Sequence, residues 1–264
     1  MCILFIAVDM HPQWPLIVCA NRDEFHHRAT DPAHFWQTVA NSNLPQSQSI
    51  LAGKDLQAGG TWLGVNQQGH FAGLTNIRHQ QADGLRSRGE LVVNALDLRQ
   101  GVSLDWLRQH SANYSPFNLV YQQQQQQLYC FNSVTAENTP LTKGFHAVSN
   151  GAIDDVWPKM AKGLQALEQH LLAEKQPNIE QMLAFMRDES QAEDSSLPST
   201  GIEIEWERLL SSIFIRHPEY GTRSTSVVMR DINGKIDFYE VRYDGKTRNL
   251  GQQHFVINPN ASKP

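Results

Sequence analysis

The sequence is poor in cysteine, and what it has builds no scaffold. Cys2, Cys19 and Cys130 are odd in number and widely spaced, with no Cys-x-x-Cys pair. A disulfide framework and a structural zinc site are therefore not expected, and a reducing cytoplasm suits the chain best. The His-Glu-x-x-His and Cys-x-x-Cys-His patterns are missing and no Cys precedes a Pro, so no metal and no cofactor is expected. There is no run of five basic residues, and the net charge is −5, which argues against a nucleic-acid partner. The longest early apolar run, Cys2 to Val8, is broken by Asp9 and lacks a cationic stretch before it. It is too short for a membrane span and wrong for a signal peptide. Gly59-Gly60-Thr61-Trp62 leads into a strand pattern and not a helix, the reverse of a phosphate loop.

What is present is ordinary globular material: 264 residues, 40% hydrophobic and 19% charged, ample for one sizeable core. Apolar runs read as strands at Cys2 to Val8, Pro15 to Ala20, Thr61 to Asn66, His70 to Asn76, Phe117 to Tyr121, Leu128 to Asn132 and Phe145 to Ser149. Near the end, Ser226 to Asp231 and Lys235 to Arg242 flank the turn dipeptide Asn233-Gly234, and His254 to Ile257 fits a last edge strand. Helical periodicity marks Ser87 to Gln100, Leu104 to His110, Val156 to Lys175, Ile179 to Arg187 and Trp206 to Phe214. Residues 28–50 read as loop, and the six glutamines Gln122 to Gln127 as a hairpin tip. Blocks of hairpins enclose blocks of helices, and no linker divides them. The pattern predicts one domain over 1–264, of class α+β, with antiparallel sheets covered by helices.

Cys2 is the most informative residue. A small residue after Met1 permits removal of the methionine, which is expected here. Cys2 then carries thiol and free α-amine on one residue, a nucleophile with its own base. The first two strands, joined by Asp9 to Trp14, read as a hairpin, which returns Asn21-Arg22-Asp23-Glu24 to the neighbourhood of Cys2. An Arg beside a thiol lowers its pKa, and an Asp can orient an amine. Gly59 and Gly60 allow a backbone to approach a ligand closely, with Trp62 as an apolar wall.

With Cys2, the segments Asn21 to Glu24, Gly53 to Asn66, Leu74-Thr75-Asn76, Ser87 to Val92, Phe117-Asn118-Leu119, Ser149-Asn150 and Gly221 to Ser224 resemble the NRDE domain family. It is also called the transport and Golgi organisation family. The resemblance covers most of the chain and implies a four-layer αββα sandwich of the N-terminal-nucleophile hydrolase type. More distantly, the chain is similar to the choloylglycine hydrolase branch of that superfamily. This implies Cys2 as nucleophile, Arg22 as its partner, Asn76 (with Thr75 at or next to the position) and Asn150 as oxyanion donors, and Arg223 as the late arginine. Asp23 follows Arg22 directly, whereas the hydrolases place two residues between them. Successive strand residues face opposite ways, so a bend is needed for both to serve one amine.

The function this implies is hydrolysis of, or acyl transfer from, an amide or thioester of a small molecule. Cys2, Arg22, Asp23, Asn76, Asn150 and Arg223 carry the chemistry, and Gly59, Gly60, Trp62 and Thr75 the substrate. The alternative is a non-catalytic carrier of a hydrophobic metabolite such as haem or an acyl chain, in line with the family's association with haem trafficking.

Overall fold

A computed structural model describes residues 2–38, 49–78, 84–97, 102–123, 127–173 and 175–259. Thirteen strands among them form two antiparallel sheets. The six-stranded sheet runs in the order β10 (Gly144–Val148), β1 (Cys2–His11), β2 (Trp14–Phe25), β11 (Tyr220–Arg230), β12 (Ile236–Tyr243) and β13 (Asn249–Ile257). The seven-stranded sheet runs β3 (Thr30–Gln37), β4 (Ser49–Asp55), β5 (Leu63–Asn66), β6 (Phe71–Asn76), β7 (Phe117–Gln122), β8 (Leu128–Asn132) and β9 (Asn138–Pro140).

Side-chain alternation fixes the layers. Along β1, Cys2, Leu4 and Ile6 join Leu51, Val65 and Phe71 of the other sheet in a core between the two sheets. Ile3, Phe5 and Ala7 point the opposite way, onto Met160 and Leu167 of α3 (Pro158–Ala173) and Met182 of α4 (Ile179–Phe185). The outer face of the second sheet, with Ile50, Ala72 and Leu119, is covered by Leu91, Val92 and Leu96 of α1 (Gly89–Leu96) and Leu107 of α2 (Leu104–His110). A further helix, α5 (Ile204–Leu209), packs beside β11 through Leu210 and Tyr220. The chain is therefore a four-layer αββα sandwich of class α+β. A strand covered on both faces reads as an unbroken apolar run, which is why Cys2 to Val8 shows no polar alternation.

The segment read as loop over 28–50 is in part sheet. β3 and β4 pair with Phe35 opposite Leu51, and the register shifts between Asp31 and His34, beside Pro32. Proline is tolerated there because β3 is the edge of its sheet and the bulge absorbs the missing donor. The short strand β9 has no sequence counterpart. Residues 39–48 of the span read as loop lie outside the described residues. So do residues 124–126 of the glutamine run, although Gln123 N–H donates to Gln127 O at 3.1 Å across the tip. Among the described residues no helix is long and apolar enough to cross a membrane.

Helix α3 matters for the site because it carries Lys159 beneath the end of β1. It approaches closely through Gly163, where a Cβ would collide with the Phe5 ring. Gly163→Ala is expected to destabilise the fold by about 1–3 kcal/mol despite its better helix propensity, because Phe5 is fully buried and has nowhere to move. Urea unfolding of the purified variant checks this; a gain in stability would mean that α3 can lift off the sheet.

Candidate active site at the end of the first strand

Cys2 ends β1 directly opposite Arg22 on β2, so both side chains share the face between the sheets. They open into a cavity of about 420 Å³, whose lining includes Asp23, Glu24, Trp62 and Asn76. The rest of the wall is mostly polar, with Arg28, Asp55, Arg86, Arg88 and Ser115. Arg28 is tied to Asp55 at 2.7 Å, and Arg86 donates from Nε to Glu90 at 3.0 Å. Arg22 is buried, stacks 4.7 Å from the Trp62 ring centroid and has a distant contact with Glu24, 3.9 Å away. Its Nη1 is buried and has no hydrogen-bond partner among the described residues.

Asp23 points to the helix side of β2 yet lines the same cavity. Its Oδ1 accepts from Thr222 Oγ1 at 2.7 Å. The bend that sequence spacing demanded lies on the neighbouring strand: Asp23 pairs with Thr222 and Arg22 with Ser224, leaving Arg223 as the extra residue of a bulge. Arg22, Asp23 and Glu24, successive on β2, all line that one cavity.

Electrostatics overturn one expectation. Burial pushes the Cys2 thiol pKa up, and the Asp23 carboxylate adds to the rise; Arg22 and the Asp23 backbone N–H pull down but do not prevail. Burial therefore favours the neutral thiol of Cys2. Burial likewise raises the Asp23 carboxyl, against the Thr222 hydrogen bond and the charges of Lys159 and Arg22.

The other sequence candidates lie further out. Asn150 is buried and does not line the cavity. Its Nδ2 donates to Asn76 O at 2.9 Å, while its Oδ1 faces Ser149, Arg78 and Lys159 at 3.2–3.4 Å. One of the two Asn150 amide hydrogens goes to the Asn76 backbone, so Asn150 positions Asn76. Thr75 is buried and accepts from Asn118 Nδ2 at 3.2 Å, so it too is a support. Arg223 turns away, donating to His26 O at 2.8 Å and Phe25 O at 3.3 Å. Gly60 does permit a close approach, but to the start of α1: a Cβ there would lie 2.5 Å from the Gly89 carbonyl carbon. Gly59, at φ +76°, makes the turn before it. Neither glycine lines the cavity, whereas Trp62 does.

Sequence reading missed a buried charged cluster behind the site. Lys159 Nζ donates to Leu210 O at 2.9 Å, and burial, helped by Arg78, lowers its pKa to about 7 against the pull of Asp23, Glu207 and Cys2. Arg78 is paired with Glu207 at 2.8 Å, and its backbone N–H donates to Asn150 O at 2.9 Å. A lysine in the first turn of an amphipathic helix reads as solvated, so no local signal marked it. Among the described residues no group of three His, Cys, Asp or Glu could hold a metal ion.

Fold and site together define a four-layer sandwich with a cysteine at a strand end, opposed by an arginine in a polar cavity. The profile of the family described as Transport and Golgi organisation 2 matches residues 1–245, and the chain belongs to that family. The bovine (Bos taurus) Transport and Golgi organization protein 2 homolog is 32% identical over 263 residues, covering 91% of this chain and 92% of its own. The Homo sapiens homolog is also 32% identical over 263 residues, with the same coverage. Among solved structures, a variant of conjugated bile acid hydrolase from Clostridium perfringens is similar over 100% of this chain and 94% of its own, at 8% identity and a TM-score of 0.49.

Proposed function

We propose that this protein is an N-terminal-cysteine hydrolase or acyl transferase acting on an amide or thioester of a small polar molecule. The observation that carries the reading is the pairing of Cys2 with Arg22 in the lining of a polar cavity, with Asp23 beside them. Once Met1 is removed, the α-amine of Cys2 takes the thiol proton as sulfur attacks the carbonyl carbon. A base that acts during attack suits a thiol whose pKa burial has raised. Asn76 donates to the oxyanion and Asn150 holds Asn76 in place. The C–N or C–S bond then breaks, and the ammonium returns its proton to the departing amine or thiol, leaving a thioester on Cys2. Water, or an acceptor, attacks that thioester with the amine again as base. Arg22 holds the substrate, and Asp23 orients the amine.

The carrier reading is less well supported. Carriage of haem or an acyl chain calls for predominantly apolar walls. The cavity offers Trp62, Leu74 and Leu85 among a majority of charged and polar groups.

The mechanism requires Cys2 to be the first residue of the mature protein. Intact-mass measurement is expected to find the chain lighter by one methionine. Retention of Met1 in essentially all molecules of an active preparation removes the amine as base and with it this mechanism.

A further inference from the structure

The opposite end of the layer between the sheets holds a second buried arginine. Arg230, the last residue of β11, follows Val228 on the inner face and is 8% exposed. Its guanidinium makes no hydrogen bond or ion pair with any described residue, and its Nη1 is buried without a partner. It lines a cavity of about 250 Å³ where three turns meet: Gln68-Gly69 after β5, Asp231 to Gly234 after β11, and Pro259. A guanidinium carries five donors and stays charged in any protein, so burying one with no acceptor is costly.

The nearby acids do not answer it. Asp231 turns its Oδ1 to the backbone N–H groups of Asn233 and Lys235, at 2.8 and 2.9 Å. Asp9 acts on Arg230 only through its field, from an exposed position on β1. His70, on the next turn, has a buried Nδ1 without a partner, and burial together with Arg230 holds its pKa down. The cavity thus joins an unanswered fixed cation to polar turns, in a volume suited to a small group and below the usual range for drug-sized ligands.

We propose that this cavity is a binding site for a phosphoryl oxyanion, received by the Arg230 guanidinium. The planar fork matches two oxygens of such a group. Arg230 pairs with Leu16 on β2, six residues from Arg22, which puts it about 20 Å from the Cys2 cavity at ~3.3 Å per residue. The site is separate from the reading of Cys2 and stands whether or not that reading does. The phosphoryl group is either free phosphate or the head of a small phosphate ester.

Thermal unfolding tests this, with sodium chloride replaced at constant ionic strength by inorganic phosphate or, in a second arm, by glycerol 3-phosphate. Wild type is expected to show a saturable rise in melting temperature of roughly 3–5 °C at ten times the Kd. Arg230→Met should lose the saturable part and keep only the general salting effect of phosphate. It should fold in chloride at least as well as wild type, since it removes an uncompensated buried charge. Asp9→Asn, which removes the competing field, should shift the transition to lower phosphate. Saturation by phosphate as tight as by the ester identifies the free anion; tighter saturation by the ester identifies a phosphorylated metabolite. An equal rise in wild type and Arg230→Met overturns the proposal, as does no rise in wild type. Should Arg230→Met fail to fold, an unshifted midpoint in Asp9→Asn overturns it.

Discussion

Cys2→Ala is expected to abolish turnover of any amide or thioester substrate, by about 10³-fold or more, while leaving substrate affinity within a few-fold of wild type. Alanine is also small, so processing of Met1 continues and only the sulfur is lost. The expectation rests on the position of Cys2, with its side chain lining the cavity and its backbone paired with Arg22 of β2 and held through its carbonyl by Ser149 Oγ at 3.3 Å. Removing the sulfur costs no ladder hydrogen bond, so the pocket survives. Trp62→Ala should show the opposite split. The indole supports the Arg22 guanidinium at 4.7 Å, a contact worth about 0.5–2 kcal/mol, and supplies one of the few apolar walls. Its loss should raise KM and leave residual turnover. The measurement is a screen of amides and thioesters on wild type and both variants, with haem and acyl-chain titrations alongside. A saturably bound ligand, no turnover by wild type and no effect of Cys2→Ala would sink the hydrolase and leave the carrier.

Replacing Lys159 should change how stability depends on pH. Its folded pKa of about 7 lies below the 10.5 of an ordinary lysine. Between those values the unfolded chain binds one more proton than the folded one, so this residue makes stability rise with pH across that window. The penalty for charging it is felt in full below about pH 7 and is on the order of 5 kcal/mol. Lys159→Met removes that term but leaves Leu210 O without its donor, a cost of about 1–3 kcal/mol at every pH. The sign of the difference at one pH is therefore uninformative, and its slope decides. Denaturant unfolding of both proteins from pH 6 to 10 should show the variant losing ground relative to wild type as pH rises. A difference that stays constant over that range would show that Lys159 is charged throughout.

The fold was legible where the chain repeats a short rule. Apolar runs on either side of Asn233-Gly234 declared a hairpin, and helical periodicity declared the helix over Val156 to Lys175. β3 stayed hidden because Asp31 and Pro32 carry the marks of a loop and the bulge before His34 breaks the alternation; only pairing with β4 makes the segment a strand. The site was legible to the extent that register alone builds it, as for Cys2 opposite Arg22. Asn150 was placed just after the right strand, and Arg223 before a strand that in fact begins at Tyr220; their side chains are engaged by neighbours, and no sequence spacing reports on commitments of that kind. The thiol's raised pKa was invisible for a related reason: local chemistry names Arg22, whereas burial by two sheets and a helix layer sets the balance. Lys159 and Arg230 read as ordinary surface cations until tertiary structure closes over them.

The placement of β1 has a consequence for how the protein fails. The strand is flanked by β10 and β2 and covered on both faces, and Cys2 is its first residue, paired with Arg22 of β2. The body of such a strand opens only with the whole cooperative unit, unlike surface loops, which fluctuate at small cost. Cys2 is carried by that strand and not by a loop. A core mutation that lowers global stability thus dilutes the competent population without altering the chemistry of the molecules that stay folded, so damage far from the cavity reduces the amount of active protein and not its rate per molecule.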